Sequence, residues 1–260
     1  MGKYSFELEN KKILITGASK GLGAVCAPAL AAEGASLVLM ARSGDKLEKI
    51  RNSFKNPNRH LSLSCDLTDF DQLRNRIDKA KRFLGSVDVV LHVVGGGLGL
   101  SDSLLSSEGL MKLFVLNIAI AAEINRMVAP EMIEKKCGSL VHVCSIASSE
   151  ATGSVGHNTV KAALAGYVRS LGRELAASGV VATGILPGGF IAPENAFVRL
   201  KERNPIGYKD FVENRLPRKA LAEADELIPL LLFLCSDAAS MMGGCLVPID
   251  AGEGKSYITI

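Results

Sequence analysis

The sequence predicts an α/β protein with a doubly wound parallel sheet of about seven strands, arranged in three α/β/α layers. Short runs rich in leucine or β-branched residues alternate with longer helical patterns along the chain, which is typical of a parallel sheet with helices on both faces. The strand-like runs lack polar alternation, so both of their faces should be buried. A chain of 260 residues is long enough to bury one large core of this kind.

The first strand is predicted where Ile13-Leu14-Ile15 follows two lysines, and similar runs recur downstream. The predicted strands cover residues 12–16, 36–41, 60–65, 87–93, 138–144, 179–186 and 245–249. Helical patterns fill most of the gaps between them. The most pronounced of these patterns cover residues 22–33, 69–83, 107–135, 156–177 and 223–235. This alternation predicts that residues 1–260 form a single domain.

One segment does not fit the alternation. Residues 188–217 are predicted to be irregular, because Pro193, Pro205 and Pro217 interrupt their short helical patterns. Long loops of this kind inside compact domains are often lids. We therefore expect residues 189–217, here called the lid segment, to cover a substrate pocket.

Composition excludes several classes of protein. The net charge is only +3, and the basic residues are scattered among acidic ones, so neither nucleic acid nor an anionic membrane is the expected partner. No apolar run approaches the ~18–20 residues that would span a bilayer. The six cysteines show no paired short spacing, which indicates reduced thiols and no metal site. We expect a soluble cytoplasmic protein that binds a small molecule.

A glycine-rich turn follows the first predicted strand and opens a helix. Glycines at such a junction allow a tight turn and let the backbone approach a pyrophosphate at the helix N-terminus. A plain strand–helix turn is the alternative, but the position after the first strand favours a dinucleotide. The candidate cofactor-binding residues in this turn are Gly17, Ser19, Lys20, Gly21, Leu22 and Gly23.

The end of the second predicted strand bears on the choice of cofactor. An acidic residue there would bind the ribose hydroxyls of NAD, whereas an arginine can neutralise the extra phosphate of NADP. The chain has Ala41 and Arg42 at this point, with Lys20 and Ser19 nearby in the glycine loop. This favours NADP(H) over NAD(H), although Arg42 alone would also be explained as a solvated surface residue.

The third predicted strand ends at Asp66, followed by Leu67. Two interpretations of Asp66 are open. Its carboxylate can accept a hydrogen bond from an adenine amino group, or it can cap the helix that starts near Asp69.

The ordered motifs resemble the short-chain dehydrogenase/reductase family, and the resemblance covers nearly the whole chain. The landmarks are the glycine loop at 16–23, the D-L-T-D stretch from Asp66, Asn117 in a long helix, a serine after the fifth strand, Lys161, Pro187-Gly188 and the C-terminal pattern from Ser236 to Gly252. The resemblance implies a Rossmann-like fold and hydride transfer between NADP(H) and a carbonyl or alcohol. It also implies cofactor contacts at Asp66, Leu67, Gly95, Lys161, Pro187 and Gly188.

The same resemblance implies roles for the catalytic residues. Ser145 would hydrogen-bond the substrate carbonyl, and Lys161 would bind the nicotinamide ribose and lower the pKa of the acid. Asn117 would hold a water that links Lys161 to solvent, or it is a polar helix residue bonded to neighbouring backbone. Homodimers or homotetramers are expected, with the helices that carry Asn117 and Lys161 at the subunit contacts.

The chain departs from the family at the acid, where His157 stands in place of tyrosine. The proton-donating form of histidine is the cation, and a nearby Lys161 ammonium should lower its pKa below the usual ~6.5. Three hypotheses follow. His157 is a working acid, with Glu150 restoring its positive charge; it positions a substrate while water supplies the proton; or the chain binds NADP without reducing anything. Tyr167 is predicted to be a core or interface residue.

The register of the serine is also altered. Ser145 precedes His157 by twelve residues, one fewer than is usual in the family, and Cys144 has the usual spacing. We favour Ser145, because a hydroxyl suits the carbonyl and the intervening loop can lose one residue.

The lid segment mixes aromatic residues with basic ones, so it can cover an apolar pocket or form an ordinary amphipathic surface helix. The basic residues permit a phosphorylated or carboxylated substrate without requiring one. The most direct interpretation of the chain is an NADP(H)-dependent oxidoreductase with an atypical site. The alternatives are a catalytically silent NADP-binding or regulatory protein, and an epimerase or dehydratase that uses the cofactor transiently.

Overall fold

The computed structural model describes residues 6–256 and has the predicted α/β architecture. Its main sheet has seven parallel strands in the order β3-β2-β1-β4-β5-β6-β9. These strands are β1 (Lys12–Thr16), β2 (Ser36–Ala41), β3 (Leu61–Ser64), β4 (Val89–His92), β5 (Gly138–Val143), β6 (Val180–Pro187) and β9 (Leu246–Ile249). A separate pair, β7 (Phe190–Ile191) and β8 (Ala222–Glu223), lies at the lid segment.

Helices lie between the strands as predicted. The predicted helices at 22–33, 69–83, 107–135 and 156–177 have boundaries within two residues of the observed ones, whereas the one predicted at 223–235 is α-helical only from residue 228. The helices are α1 (Gly21–Ala32), α2 (Gly44–Asn52), α3 (Phe70–Leu84), α4 (Ser107–Phe114), α5 (Ile120–Lys135), α6 (Val155–Leu175), α7 (Ala196–Arg203), α8 (Pro205–Asp210) and α9 (Ile228–Leu234). Helix α3 shows how the chain sets their ends. Asp69 caps its first turn by accepting hydrogen bonds from the N–H groups of Asp71 and Gln72, and Gly85 ends it with a positive φ of 74°.

Alternate strand residues face opposite helical layers. Ile13 and Ile15 pack with α1 and α9 on one face, whereas Leu14 packs with α3 and α5 on the other. Because every central strand is covered on both sides, the strands carry apolar residues at nearly every position. This confirms the three-layer arrangement expected from the sequence.

The strand order reverses between β1 and β4, which pair with each other at the centre of the sheet. In open α/β sheets, ligands bind at the carboxyl ends of the strands where the order reverses. The glycine loop follows β1 at this point, and the residues after β4, β5 and β6 lie along the same edge. The topology therefore brings the sequence motifs to one cleft.

The lid segment is more regular than predicted. Helices α7 and α8 and a π-helical turn at Phe211–Arg215 occupy most of it. The prediction failed because Pro205 stands at the first turn of α8, where proline is tolerated, and does not interrupt a helix. Asn195 and Asn204 cap the two helices by accepting hydrogen bonds from Val198 and Gly207.

The helical stretch Ser107–Lys135 is interrupted only by a π-helical segment at Val115–Ala119. By length and composition it could cross a membrane, with a mean hydropathy of 1.4 in its most apolar window, half of which is buried inside the structure. A core helix of a globular protein meets the same criterion, so this is weak evidence for a span.

Candidate active site

The glycine loop between β1 and α1 has a backbone that only glycine adopts easily. Gly17 and Gly21 have φ values of 71° and 58°, in the region that side chains disfavour. A Cβ on Gly23 would lie 2.4 Å from the carbonyl oxygen of Gly17, whereas one on Gly21 would meet open space. The loop therefore packs tightly on the protein side and leads into the N-terminus of α1, where backbone amides can bind a phosphate. These features fit a dinucleotide.

The lid segment contacts this loop, which the sequence did not predict. The N–H of Gly21 donates to the carbonyl oxygen of Pro193 at 2.7 Å. Glu194, the next residue, pairs with Lys46 on α2, and this pairing, with lesser contributions from Lys20 and Arg199, lowers the pKa of its carboxyl group. A lid carbonyl and a lid carboxylate thus occupy groups that suit a phosphate.

Lys46 was missed by the sequence analysis. It lies four residues after Arg42, and both Lys46 and Lys20 lie close enough to Glu194 to lower the pKa of its carboxyl group. Lys20, Arg42 and Lys46 are all exposed. The available signal was its position in the first turn of the helix after β2, the same region that supplied Arg42.

The structure corrects one interpretation of Asp66. Helix α3 is capped by Asp69 and not by Asp66. Asp66 forms a local turn in which Oδ1 accepts hydrogen bonds from the N–H and hydroxyl of Thr68 at 3.0 and 2.8 Å. These bonds, assisted by Arg42, lower the pKa of the Asp66 carboxyl group despite partial burial. Leu67 beside it is buried.

Asn117 lies in the π-helical segment between α4 and α5 and is bonded to backbone. Its Nδ2 donates to the carbonyl oxygens of Leu113 at 2.9 Å and Gly96 at 3.0 Å, and its Oδ1 accepts from the N–H of Gly96. The bonding to backbone is the second interpretation offered by the sequence. Its effect here is to hold the glycine loop that follows β4 at the cleft.

Gly95 brings this loop against Lys161. A Cβ on Gly95 would lie 2.8 Å from Asn117 Oδ1 and 3.3 Å from Lys161 Nζ, so only glycine fits between them. Lys161 is 5% exposed, and its Nζ donates to the carbonyl oxygen of Val143 at 3.0 Å. Burial lowers the pKa of this ammonium, with a small opposing effect from Cys144.

Ser145 and Cys144 differ clearly in environment. Cys144 lies in an apolar cluster with Ile146, Val160 and Leu164, and burial raises the pKa of its thiol to about 12. Ser145 is half-buried, and its Oγ accepts the N–H of Ala147 at 3.1 Å. The serine hydroxyl, and not the thiol, is therefore on the accessible side at the end of β5.

His157 lies in the first turn of α6, one turn before Lys161. Its N–H donates to the capping hydroxyl of Ser154 at 3.4 Å. A Cβ on Gly97 would lie 4.0 Å from its Nδ1, and one on Gly153 would lie 3.0 Å from its Cδ2. The ring is therefore placed between the loop after β4 and the loop before α6.

The ionisation of His157 follows from this placement. Burial, and secondly the charge of Lys161, lower the pKa of His157 to about 4. Glu150, suggested from the sequence to restore the positive charge of His157, binds backbone in the structure: its Oε1 accepts hydrogen bonds from the N–H groups of Lys255 and Ser256 at 2.7 and 2.8 Å. The imidazole is neutral at pH 7.

The remaining predicted residues lie at the edges of the cleft. Pro187 ends β6, and Gly188 donates its N–H to the carbonyl oxygen of Ile249. Tyr167 bonds to Asn125 on α5 through its hydroxyl, at 3.0 Å, and its ring contacts His142 edge-on. It is thus a partner of a buried polar cluster, where its hydroxyl is engaged.

Within residues 6–256, no group of three or more histidine, cysteine or acidic side chains is arranged to hold a metal ion. Fold and cleft together define a dinucleotide-binding α/β protein of the oxidoreductase type. The sequence profile of the short chain dehydrogenases matches residues 11–203. The chain belongs to the short-chain dehydrogenase family.

Individual relatives agree with this assignment. The oxidoreductase UcpA of Salmonella typhimurium is 30% identical, over 97% of this chain and 96% of its own length. The 3-oxoacyl-[acyl-carrier-protein] reductase MabA of Mycobacterium avium is 26% identical, over 95% of this chain and 91% of its own. Among solved structures, L-sorbose reductase from Gluconobacter frateurii, complexed with NADPH and L-sorbose, is 25% identical with a TM-score of 0.86, covering 96% of this chain and 98% of that one.

Proposed function

We propose that this protein is an NADP(H)-dependent oxidoreductase that acts on a carbonyl or alcohol substrate, with His157 where the family carries its catalytic tyrosine. The observation that carries the proposal is that Asn117 and Lys161 both lie against Gly95 at the carboxyl edge of the sheet, beside His157. The NADPH complex of L-sorbose reductase supports the choice of cofactor.

The chain's own residues divide the binding of the cofactor between them. The glycine loop would hold the pyrophosphate, and Lys20, Arg42 and Lys46 would neutralise the 2′-phosphate of NADP. Asp66 and Leu67 would contact the adenine. Bound in this way, the nicotinamide supplies or accepts the hydride. Gly21 and Lys46 must exchange their bonds to Pro193 and Glu194 for bonds to phosphate.

The substrate side is formed by Ser145, Lys161 and His157. Ser145 Oγ would donate to the carbonyl oxygen, and Lys161 would bind the nicotinamide ribose. A neutral His157 has one ring N–H to donate, so at pH 7 it orients the carbonyl or a water. Only the imidazolium delivers a proton outright, and its population grows as the pH falls toward about 4.

One observation favours a second candidate, a catalytically silent NADP-binding protein. With a pKa of about 4, His157 is almost entirely neutral in a neutral cell. The phenol that the rest of the family uses would be missing and not replaced by an equivalent acid.

The deciding experiment measures NADPH oxidation by the wild type and by His157→Tyr and His157→Phe between pH 7.5 and 5. The substrate panel contains L-sorbose, 5-ketogluconate, levodione, tropinone and an acetoacetyl thioester. For an enzyme that uses His157 as acid, the wild-type rate rises as the pH falls. Phenylalanine should then lower it by roughly 10²–10⁴-fold, the usual contribution of a general acid.

A silent wild type beside an active His157→Tyr variant would identify the second candidate. Cofactor that co-purifies with the protein, without net oxidation of NADPH, would instead indicate an epimerase or dehydratase. A wild type and variants that neither bind nor oxidise NADPH would contradict both proposals.

We also propose that the protein is a cytoplasmic homodimer or homotetramer. Leu110, Met111 and Phe114 are partly exposed on α4, at 38%, 61% and 42%, and this helix leads directly to Asn117. Light scattering at several protein concentrations tests the oligomer, and a monomer at all concentrations would contradict it.

A further inference from the structure

Glu253 follows β9 and is a buried carboxylate, with 6% of the residue exposed. Carboxylates are seldom buried without partners. Both of its oxygens are engaged. Oε2 accepts the N–H of Gly189 at 2.6 Å, and Oε1 lies 3.1 Å from Nε of Arg215.

These two partners stand at the two ends of the lid segment. Gly189 is its first residue, and Arg215 lies close to its last. The backbone at Gly189 is tightly packed, since a Cβ there would lie 2.6 Å from Leu221 Cδ2. One side chain from the C-terminal region therefore closes the base of the lid segment.

Arg215 also contacts the loop that precedes His157. Its Nη1 donates to the carbonyl oxygen of Thr152 at 2.9 Å, and its guanidinium lies 5.2 Å from the ring centroid of Phe211. Thr152 lies between the turn that follows Ser145 and the start of α6. In the same loop, Glu150 binds the backbone of the C-terminal residues.

The energetics of an ion pair with one buried partner indicate why this arrangement matters, since the Glu253 side chain is 3% exposed and that of Arg215 is 34% exposed. Such a pair adds little stability over well-packed apolar residues, because desolvation offsets most of the attraction. Its directional bonds do restrict geometry. Here these bonds fix the lid segment relative to the loop that precedes His157. Apolar contacts alone would allow the lid segment to slide over that loop.

We propose that Glu253 is a positioning residue. Together with Arg215, it sets the closed position of the lid segment over Ser145 and His157. The inference rests on the proposed function for its kinetic consequence, while its structural part can be tested without a substrate.

The structural test uses amide hydrogen exchange on the full-length protein. Glu253→Gln keeps the size of the side chain and an acceptor for Gly189, but removes the charge that holds Arg215. Glu226→Gln is the matched control, because it removes a carboxylate from an exposed pair with Arg218, at 2.7 Å. We expect exchange at least tenfold faster in residues 189–217 and 150–156 for Glu253→Gln, and no change there for the control.

Faster exchange confined to the residues beside Gly189, or equal in both variants, would overturn the proposal. A double variant, Glu253→Gln with Arg215→Gln, removes both charges, so that neither charged group is left without its partner. It should fold even if the single variant does not. We expect the same faster exchange in both regions for the double variant. Exchange at the wild-type rate in those regions would refute the proposal that Glu253 and Arg215 hold the lid segment in place.

The kinetic test uses the best carbonyl of the panel above. Glu253→Gln should raise its KM at least fivefold with kcat changed less than threefold, while Glu226→Gln leaves both unchanged. Faster lid exchange with an unaltered KM would contradict the positioning role. If the wild type reduces no carbonyl, the proposed function fails. The exchange experiment alone then still decides whether Glu253 and Arg215 hold the lid segment in place.

Discussion

At the scale of single residues, the site combines a buried cation with a neutral ring one helical turn away. Lys161 is held by Val143, and its charge helps to keep His157 unprotonated. In a site built on tyrosine the same lysine would favour the acid's ionised form, since an ammonium stabilises a phenolate. For the His157 imidazole, the same charge disfavours the protonated form that donates a proton.

Lys161→Ala should abolish NADPH turnover. It removes the ammonium that lies beside Gly95 and leaves the Val143 carbonyl oxygen without this donor. Steady-state rates over the carbonyl panel, with thermal unfolding to confirm a folded variant, check this. Activity that persists in a folded variant would remove Lys161 from the site.

Arg42→Asp should weaken the binding of NADPH much more than the binding of NADH. A carboxylate at the end of β2 repels the 2′-phosphate and suits a ribose hydroxyl, so we expect the ratio of the two dissociation constants to shift at least tenfold. Cofactor binding is measured by NAD(P)H fluorescence. Lys49→Asp, which makes the same charge reversal further along α2, is the control. Equal losses for both cofactors would refute a phosphate site.

At the scale of elements, helix α6 links the site to the far side of the sheet. It carries His157 and Lys161 at one end and packs on β6 and on the turn before β9 at the other. Two of its glycines have opposite surroundings. A Cβ on Gly172 would lie 2.1 Å from the N atom of Gly244, whereas one on Gly166 would meet nothing within 4 Å.

Gly172→Ala should therefore destabilise the protein by about 1–3 kcal/mol or more, the usual cost of overpacking. Gly166→Ala, its matched control on the same helix, should stabilise by about 0.5–1 kcal/mol, because alanine favours the helix over glycine. Urea unfolding monitored by circular dichroism gives both free energies. Equal effects of the two substitutions would mean that the helix does not approach the Gly244 turn this closely.

At the scale of the whole molecule, buried neutral histidines make the fold sensitive to acid. Burial lowers the pKa of His60 and of His142 to about 4, and it lowers the pKa of His92 well below its usual value. His92 and His142 stack at 4.6 Å and share Asn125. His60 accepts the N–H of Leu37 through Nδ1, a bond that protonation would break.

The free energy of unfolding should fall as the pH drops from about 6.5 to about 4. The unfolded chain binds protons near pH 6.5, before the folded protein does, so this stability is present above that pH and is lost below it. Each of His60 and His142 contributes on the order of 2–3 kcal/mol to the loss. Unfolding in urea at several pH values measures it.

His60→Asn is the variant that isolates one of these groups. Asparagine retains an acceptor for the N–H of Leu37 and does not titrate, so the variant should lose less stability between pH 7 and pH 4.5 than the wild type. A free energy of unfolding that stays constant over this range would show that the histidines are not buried as described.

Much of this protein could be predicted from its sequence because the signals are local. Apolar runs without alternation gave the strands of the doubly wound sheet, and the glycine loop marked the first crossover. The lid segment was mispredicted because Pro205 begins a helix there. From sequence alone, a proline at the start of a helix cannot be distinguished from one that interrupts a helix. Lys46 was overlooked because its only signal was its position in the first turn of the helix after β2.

The sequence by itself determined the family and the fold, since both depend on residue types at fixed spacing. Only the tertiary structure decided which atoms meet. The structure shows that Ser145 is accessible whereas Cys144 is buried, and that Asp69 caps α3. It also shows that Glu150 binds the backbone near the C-terminal end of the described residues. It also placed Glu253 between the two ends of the lid segment. The physical reason is that burial and pairing depend on contacts between residues distant in the chain, which no local spacing encodes.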